Sequence, residues 1–232
     1  MPRTRRDRKT VTSRIVTKED ITHVLDALFD AYHKQHLKYE SMVNYIAFTL
    51  LGAYTGQRVE ATLSKITAGQ IRTALQTNPP VLHVTPNQDK IRMEHYVPLH
   101  PDLREILMHL VSGKEDNARV FEFVGYQMWL KNNPTLLSRV PTKRFTPSDL
   151  RKFAEQFGDI IQWNQTNRAY ILTHGVSGID WSHYKHPLPE YVYANYMQYW
   201  VSVHLLEKEI PRDITRTDGS NVLPLSAGLS LA

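Results

Sequence analysis

The sequence predicts a mainly α-helical protein with one small antiparallel β-hairpin, and three observations lead there. Apolar residues recur at helical spacing through most of the 232-residue chain. Two short runs around residue 90, rich in Val, Tyr and Leu, read instead as strands. No internal repeat, low-complexity tract or Gly/Ser linker interrupts the body, so one domain is expected.

Each element follows from local chemistry. Thr17-Lys18-Glu19-Asp20 has the form of a capping box, with a hydroxyl at the start and an acid three residues on. Ile21, Val24, Leu25, Leu28, Phe29 and Tyr32 then mark one helical face, which predicts a helix to about Lys34. A second helix is expected over 40–54, with Gly56 placed to take the left-handed conformation at its end. Short helices are expected over 59–64 and 67–75. Val81-Leu82-His83-Val84 and His95-Tyr96-Val97-Pro98-Leu99 read as strands joined by a polar connection over 86–94. Pro101 opens a helix through Val111. The stretch 121–130 is apolar without a decisive period, and Asn132-Asn133-Pro134 and Val140-Pro141 mark loops around it. Thr146-Pro147-Ser148-Asp149 combines an N-cap, a first-turn proline and a boxing acid, and predicts a helix to about Trp163. Another is expected over 165–174, ending at Gly175, and a last one over 190–209 after Pro187 and Pro189.

Composition narrows the function. There are no cysteines, which excludes a disulfide framework, thiol catalysis and cysteine-ligated zinc, and suits a reducing compartment. The longest apolar run, 43–54, falls short of the roughly 20 residues that span a bilayer. Arg3, Arg5, Arg6, Arg8, Lys9 and Arg14, opposed only by Asp7, carry the whole net charge of +5. A cationic arm on a neutral body suits a grip on phosphates that reads no sequence. Its rival reading is a disordered or targeting leader, although no apolar core follows it as a secretory signal requires. His183 and His186 lie three apart, but no third ligand is placed beside them, so no metal is expected. Gly-rich phosphate loops and Gly-x-Ser-x-Gly are absent, which leaves nucleotide hydrolases and esterases without support.

The chemistry-bearing residues form an ordered set. Gly52-Ala53-Tyr54-Thr55-Gly56-Gln57-Arg58 closes an apolar helix. A hairpin with Lys90 at its centre follows, then Asp149-Leu150-Arg151-Lys152-Phe153, and finally a tyrosine-rich helix. The order and spacing resemble the catalytic domain of tyrosine recombinases. The match looks closest to integrases of archaeal viruses and plasmids, through Arg151-Lys152-Phe153, Ile179-Asp180-Trp181, Lys185-His186-Pro187 and Ala194-Asn195-Tyr196. The resemblance covers about residues 15–205.

This resemblance implies a site-specific DNA strand transferase that needs no metal or other cofactor. Arg58 and Arg151 would clamp the non-bridging oxygens of the scissile phosphate, since guanidiniums bind oxyanions bidentately and keep their proton. Lys90 would protonate the leaving 5′ oxygen. His186, or Lys185 beside it, would hydrogen-bond the phosphate, with His183 and Ser148 as further phosphate contacts. Tyr196 would be the nucleophile that forms a 3′-phosphotyrosyl intermediate, with Tyr193, Tyr191 and Tyr199 as neighbours on the same helix. Residues 1–14 would be a flexible arm gripping DNA through Arg3, Arg5, Arg6, Arg8 and Lys9. Residues 15–210 would be the catalytic domain, and 211–232 a tail suited to docking on a neighbouring copy. The partner would be double-stranded DNA, bound by a homotetramer on paired sites that forms from monomers. The implied setting is a mobile element in the cytoplasm of its host.

Three features depart from the family pattern. Ser148 stands where many members have histidine, three residues before the second arginine. Ala61 stands where an acid is usual after the first arginine, with Glu60 one place early. Only 57 residues precede Arg58, whereas the family's helical core-binding domain is about a hundred residues long, so either the arm or a partner would complete the grip, or the chain would be a truncated remnant. Two other readings follow: a DNA-binding accessory protein of the same fold that no longer cuts, or a basic helical structural or virion protein.

Overall fold

Helix α2 (Tyr39–Thr55) forms the axis of the computed structural model, which describes residues 14–174 and 188–211. Every α2 residue from Met42 onward is buried, and a helix apolar on all sides must be enclosed by others. Helix α1 (Lys18–His33) packs on it and starts at the expected box, with the Thr17 amide donating to Asp20 Oδ2 at 2.8 Å. Helix α3 (Ala68–Gln76) begins with a second box, Thr67 with Gln70. It lies against strand β1 (Val81–Val84) and helix α4 (Arg104–Val111), which also covers α2. Strand β2 (His95–Pro98) pairs antiparallel with β1, Val81 opposite Pro98 and Val84 opposite His95. The protein is therefore mainly helical with one two-stranded antiparallel sheet, as the sequence predicts.

The ambiguous stretch becomes helix α5 (Phe123–Asn132). Its Tyr126 hydroxyl meets Thr49 of α2 at 2.8 Å, and Phe121 just before it stacks on Phe48 at 5.0 Å. Helix α6 (Pro147–Ile160) crosses α2 where Gly52 lies, and a Cβ there would come within 2.7 Å of Leu150 Cδ1. Helix α7 (Gln165–Leu172) docks on β2, the Tyr96 amide donating to the Tyr170 oxygen at 3.0 Å. Helix α8 (Pro189–Trp200) packs on β2 and α7.

Three expectations change. In place of the helix expected over 59–64 the chain makes a turn that closes in a short 3-10 segment, Leu63–Lys65. The last helix stops at Trp200, nine residues early, because groups distant in sequence take over its end. His100 Nε2 meets the Trp200 carbonyl at 3.0 Å, while the Tyr54 hydroxyl accepts from the Leu205 amide at 3.0 Å and lies 3.0 Å from the Val203 carbonyl. Arg14 belongs to the body rather than to a free arm. Its guanidinium pairs with the buried Asp149 at 2.7 Å and also reaches the Arg144 carbonyl, while Gln156 clasps the backbone of Arg14 and Val16. Arg3, Arg5, Arg6, Arg8 and Lys9, and the tail from 212, lie outside the described residues. Among the described residues, no helix is long and apolar enough to cross a membrane.

Candidate functional site

The end of α2 builds the site. Gly56 adopts φ +63°, and a Cβ on it would stand 2.2 Å from Leu172 Cδ2 and 2.9 Å from Ala154 Cβ. Only glycine lets the chain turn here while α6 and α7 close on it. Gln57 and Arg58 then emerge directly beneath the end of α7.

Three successive residues at that end are each held by a different side chain. Gln57 Nε2 donates to the Ile171 carbonyl at 2.6 Å, Arg151 Nη2 to the Leu172 carbonyl, and Arg58 Nη1 to Thr173 Oγ1 at 2.8 Å. Arg151 Nη1 also donates to the Gly56 carbonyl at 3.0 Å. Helix C-termini leave carbonyls without intrahelical partners and carry partial negative charge, so guanidiniums are favoured there. The two arginines thus share anchors only one or two residues apart on two chain segments, and their guanidiniums converge. Burial first, and the like charge of Arg58 second, push the Arg151 pKa down to about 10, so it stays charged near neutral pH.

Asp89 balances this charge. Its side chain is fully buried, and Oδ1 accepts from Arg58 Nη1 at 3.1 Å. The acid that holds Arg58 therefore comes from the β1–β2 connection rather than from Glu60 or position 61. Arg58 keeps 22% of its side chain exposed, and among the described residues its Nη2 and Nε donors have no protein acceptor. An oxyanion could be received there.

Two histidines complete the constellation. His95 is buried, its Nδ1 3.0 Å from the Met93 carbonyl and its Nε2 3.2 Å from Gln57 Oε1. Burial lowers its pKa, and the charges of Arg151 and Arg58 act in the same direction. His174 follows Thr173, a β-branched residue held at φ 50°, in the left-handed region that such residues rarely occupy. His174 is half-buried, and its Nδ1 lies 2.9 Å from Glu155, one turn beyond Arg151 on α6. Partial burial and then the charge of Arg151 lower its pKa.

The residues expected from sequence divide into three groups. Arg58 and Arg151 come together. Lys90 lies in the exposed turn directly after Asp89, so its backbone is tied to the site. Ser148 lies exposed at the start of α6, its hydroxyl 3.0 Å from Thr146 Oγ1, and no bond links it to either arginine. Tyr196 is not presented to the site. It is 0% exposed, donates to the Tyr54 carbonyl at 3.1 Å, and stacks on Trp200 at 5.6 Å with Trp163 edge-on. Burial raises its pKa well above the ordinary tyrosine value. As placed, Tyr196 is a core residue, because a hydroxyl without accessible surface cannot meet a phosphodiester. Tyr193 is half-buried, Tyr199 partly exposed and Tyr191 exposed on the same helix. His183, Lys185 and His186 lie outside the described residues.

Sequence reasoning passed over Asp89, Thr173 and His174. An acid beside the expected lysine, and a His-Gly pair closing a helix, were the signals available for them. A groove of about 1090 Å³ runs past Thr67, Arg72, His83 and Tyr96, but it contains none of the arginine site. No family model matches this chain, no curated protein is similar to it, and no solved structure matches its fold.

Proposed function

We propose that this protein cleaves and rejoins DNA strands as a tyrosine recombinase, with Arg58 and Arg151 binding the scissile phosphate. The supporting observation is the convergence of these two guanidiniums on the end of α7, with uncommitted donors on Arg58 and His174 alongside. Among the described residues one buried carboxylate, Asp89, faces the two guanidiniums, and Glu155 is half-exposed and so screened. The pair keeps an uncancelled positive charge, which suits a phosphodiester bearing one negative charge.

In the proposed reaction a tyrosine oxygen bonds to phosphorus as the bond to the 5′ oxygen breaks. The arginines stabilise the charge that grows on the non-bridging oxygens. His174 is held neutral and turns Nδ1 toward Glu155, so the donor sits on Nδ1 and the lone pair on Nε2. That lone pair takes the tyrosine proton. Lys90 gives its proton to the departing 5′ oxygen. Attack by the 5′ hydroxyl of another strand then reverses the step and frees the tyrosine. Because Tyr196 is buried, we assign the nucleophile to its half-buried neighbour on the same helix, Tyr193.

The test uses a pool of duplexes with a randomised core, each nicked so that cleavage releases a short fragment and traps the protein. The wild-type chain is expected to give a protein–DNA adduct that survives denaturation, and sequencing the trapped strands identifies the site. Tyr193→Phe should abolish the adduct and Arg58→Ala and Arg151→Ala should each lower it by at least about 10²-fold, whereas Tyr196→Phe should retain it. Binding without any adduct would favour the accessory DNA-binding reading. Absence of both would leave the structural or virion reading.

A further inference from the structure

We propose that Asp89 is a positioning residue that couples the Lys90 turn to Arg58, holding the acid and the phosphate clamp in one arrangement. Each oxygen of this buried carboxylate has its own task. Oδ1 accepts from Arg58 Nη1 at 3.1 Å and lies 3.4 Å from Thr173 Oγ1. Oδ2 accepts from the backbone amides of Ile91 and Met93 at 3.1 and 3.2 Å. The Asp89 carbonyl in turn accepts from the Arg92 amide at 3.2 Å, and Arg92 takes φ 57° to close the turn. Residues 90–92 are exposed, so this short turn has few apolar contacts of its own and depends on the Asp89 bonds for its shape.

The coupling has a chemical use. A lysine on a free loop samples many positions, and a general acid works only within hydrogen-bond reach of its oxygen. Fastening the turn to the same carboxylate that orients Arg58 fixes the Lys90 backbone relative to the phosphate site. Thr173 extends the arrangement to His174, since its hydroxyl bonds Arg58 and meets Asp89. The Asp89 carboxylate is fully buried between Arg58 and the turn amides, so its effect is exerted through Arg58 and Lys90.

The kinetic part of this inference rests on the proposed strand-transfer reading, and the structural part does not. Asp89→Asn keeps the shape but places an amide N–H₂ against either Arg58 or the turn amides, where two donors would oppose each other. The amides of Ile91 and Met93 are therefore expected to exchange with solvent at least about tenfold faster than in the wild type. Should Asp89→Asn fail to fold, Thr173→Val removes a hydroxyl shared by Arg58 and Asp89, and the same two amides report. Unchanged exchange would overturn the coupling whether or not the protein cuts DNA.

On a trapping duplex whose scissile 5′ oxygen is intact, Asp89→Asn should form adduct roughly 10²-fold more slowly, the range of one general acid, with duplex binding nearly unchanged. Replacing that oxygen with sulfur makes the leaving group a thiolate that needs no proton. Lys90→Ala should then recover to near the wild-type rate and Asp89→Asn should recover in large part, while Arg58→Ala should not. If Asp89→Asn stays as slow on the sulfur substrate as on the oxygen one, Asp89 does not act through Lys90 and the inference is overturned. If the wild-type chain forms no adduct on either duplex, the strand-transfer reading fails and the exchange measurement alone decides the coupling.

Discussion

Two clusters of side chains flank the end of α2, and both hold groups that could do chemistry. On one side Arg58, Arg151, Asp89, His95 and His174 gather around the end of α7. On the other, Tyr54, Tyr196, Trp163, Trp200 and His100 form an aromatic block, with the Tyr54 and His100 rings stacked at 4.1 Å. The difference lies in what remains uncommitted. In the aromatic block the tyrosine hydroxyls meet internal partners and the rings are enclosed; the Trp200 Nε1 donor has no partner, but it also has no accessible surface through which to meet a ligand. In the arginine cluster, donors on Arg58 have no acceptor among the described residues and two side chains keep part of their surface. Residue type is a poor guide to a site; uncommitted hydrogen-bonding capacity beside accessible surface is a better one.

The sharpest way to separate the clusters is to remove one member of each. Arg58→Ala and Arg151→Ala are expected to lower adduct formation by about 10² to 10³-fold or more per folded molecule, as loss of a transition-state donor does. Arg151→Ala should also lower stability by roughly 1–3 kcal/mol in urea unfolding, because the Gly56 and Leu172 carbonyls lose their partner. Trp200→Ala should do the reverse. It should cost about 3–5 kcal/mol in the same measurement, and any molecules that fold should retain the chemistry. A catalytic defect in folded Trp200→Ala would blur the distinction drawn between the two regions.

Gly56 joins the clusters, and its replacement tests both. Gly56→Ala forces a Cβ into Leu172 and Ala154 at a positive φ, with an expected cost of roughly 2–4 kcal/mol from strain and overpacking together. Thermal unfolding reports the loss, and adduct formation should fall as well, since α7 carries the arginine anchors. Tyr196→Phe is the milder probe. It removes one hydrogen bond to the Tyr54 carbonyl and should cost about 1 kcal/mol without changing the rate per folded molecule.

The pH dependence should distinguish the clusters more gently. His95 and His174 have folded pKa values below the ordinary histidine value, chiefly through burial. Their contribution is present above about pH 6.5 and is lost as the pH falls through the folded values, so acid weakens the arginine side. His100 adds the same sign within the aromatic block. Buried Tyr54 and Tyr196 have raised pKa values, so their contribution is present below about pH 10 and is lost as the pH rises through the folded values. Urea midpoints across pH, with His95→Gln and Tyr196→Phe alongside, check both signs. A His95→Gln variant with unchanged acid sensitivity would contradict the first.

Much of the fold was legible because its signals are local. Gly56 announced the end of α2, Thr146-Pro147-Asp149 the start of α6, and the Val81 and His95 runs the hairpin. The end of α8 was not, because His100 and Tyr54 are about a hundred and a hundred and fifty residues from the atoms they hold. The site divides in the same way. Arg58 and Arg151 stood out by order and spacing, but the partner of Arg58 lies 31 residues away on a turn. His174 read as the tail of a helix because nothing local places it beside Arg151. Tyr196 read as a nucleophile because spacing along a helix does not tell which face is enclosed, and two tertiary contacts decide that.

The most direct test of the central claim is to identify the amino acid that carries the DNA. The trapped complex is digested with nuclease and protease, and the modified peptide is sequenced by mass spectrometry. The account predicts a nucleotide remnant on Tyr193, strongly reduced when Arg58 or Arg151 is replaced by alanine. A remnant on Tyr196, or strand cleavage with no remnant on any tyrosine, would contradict it.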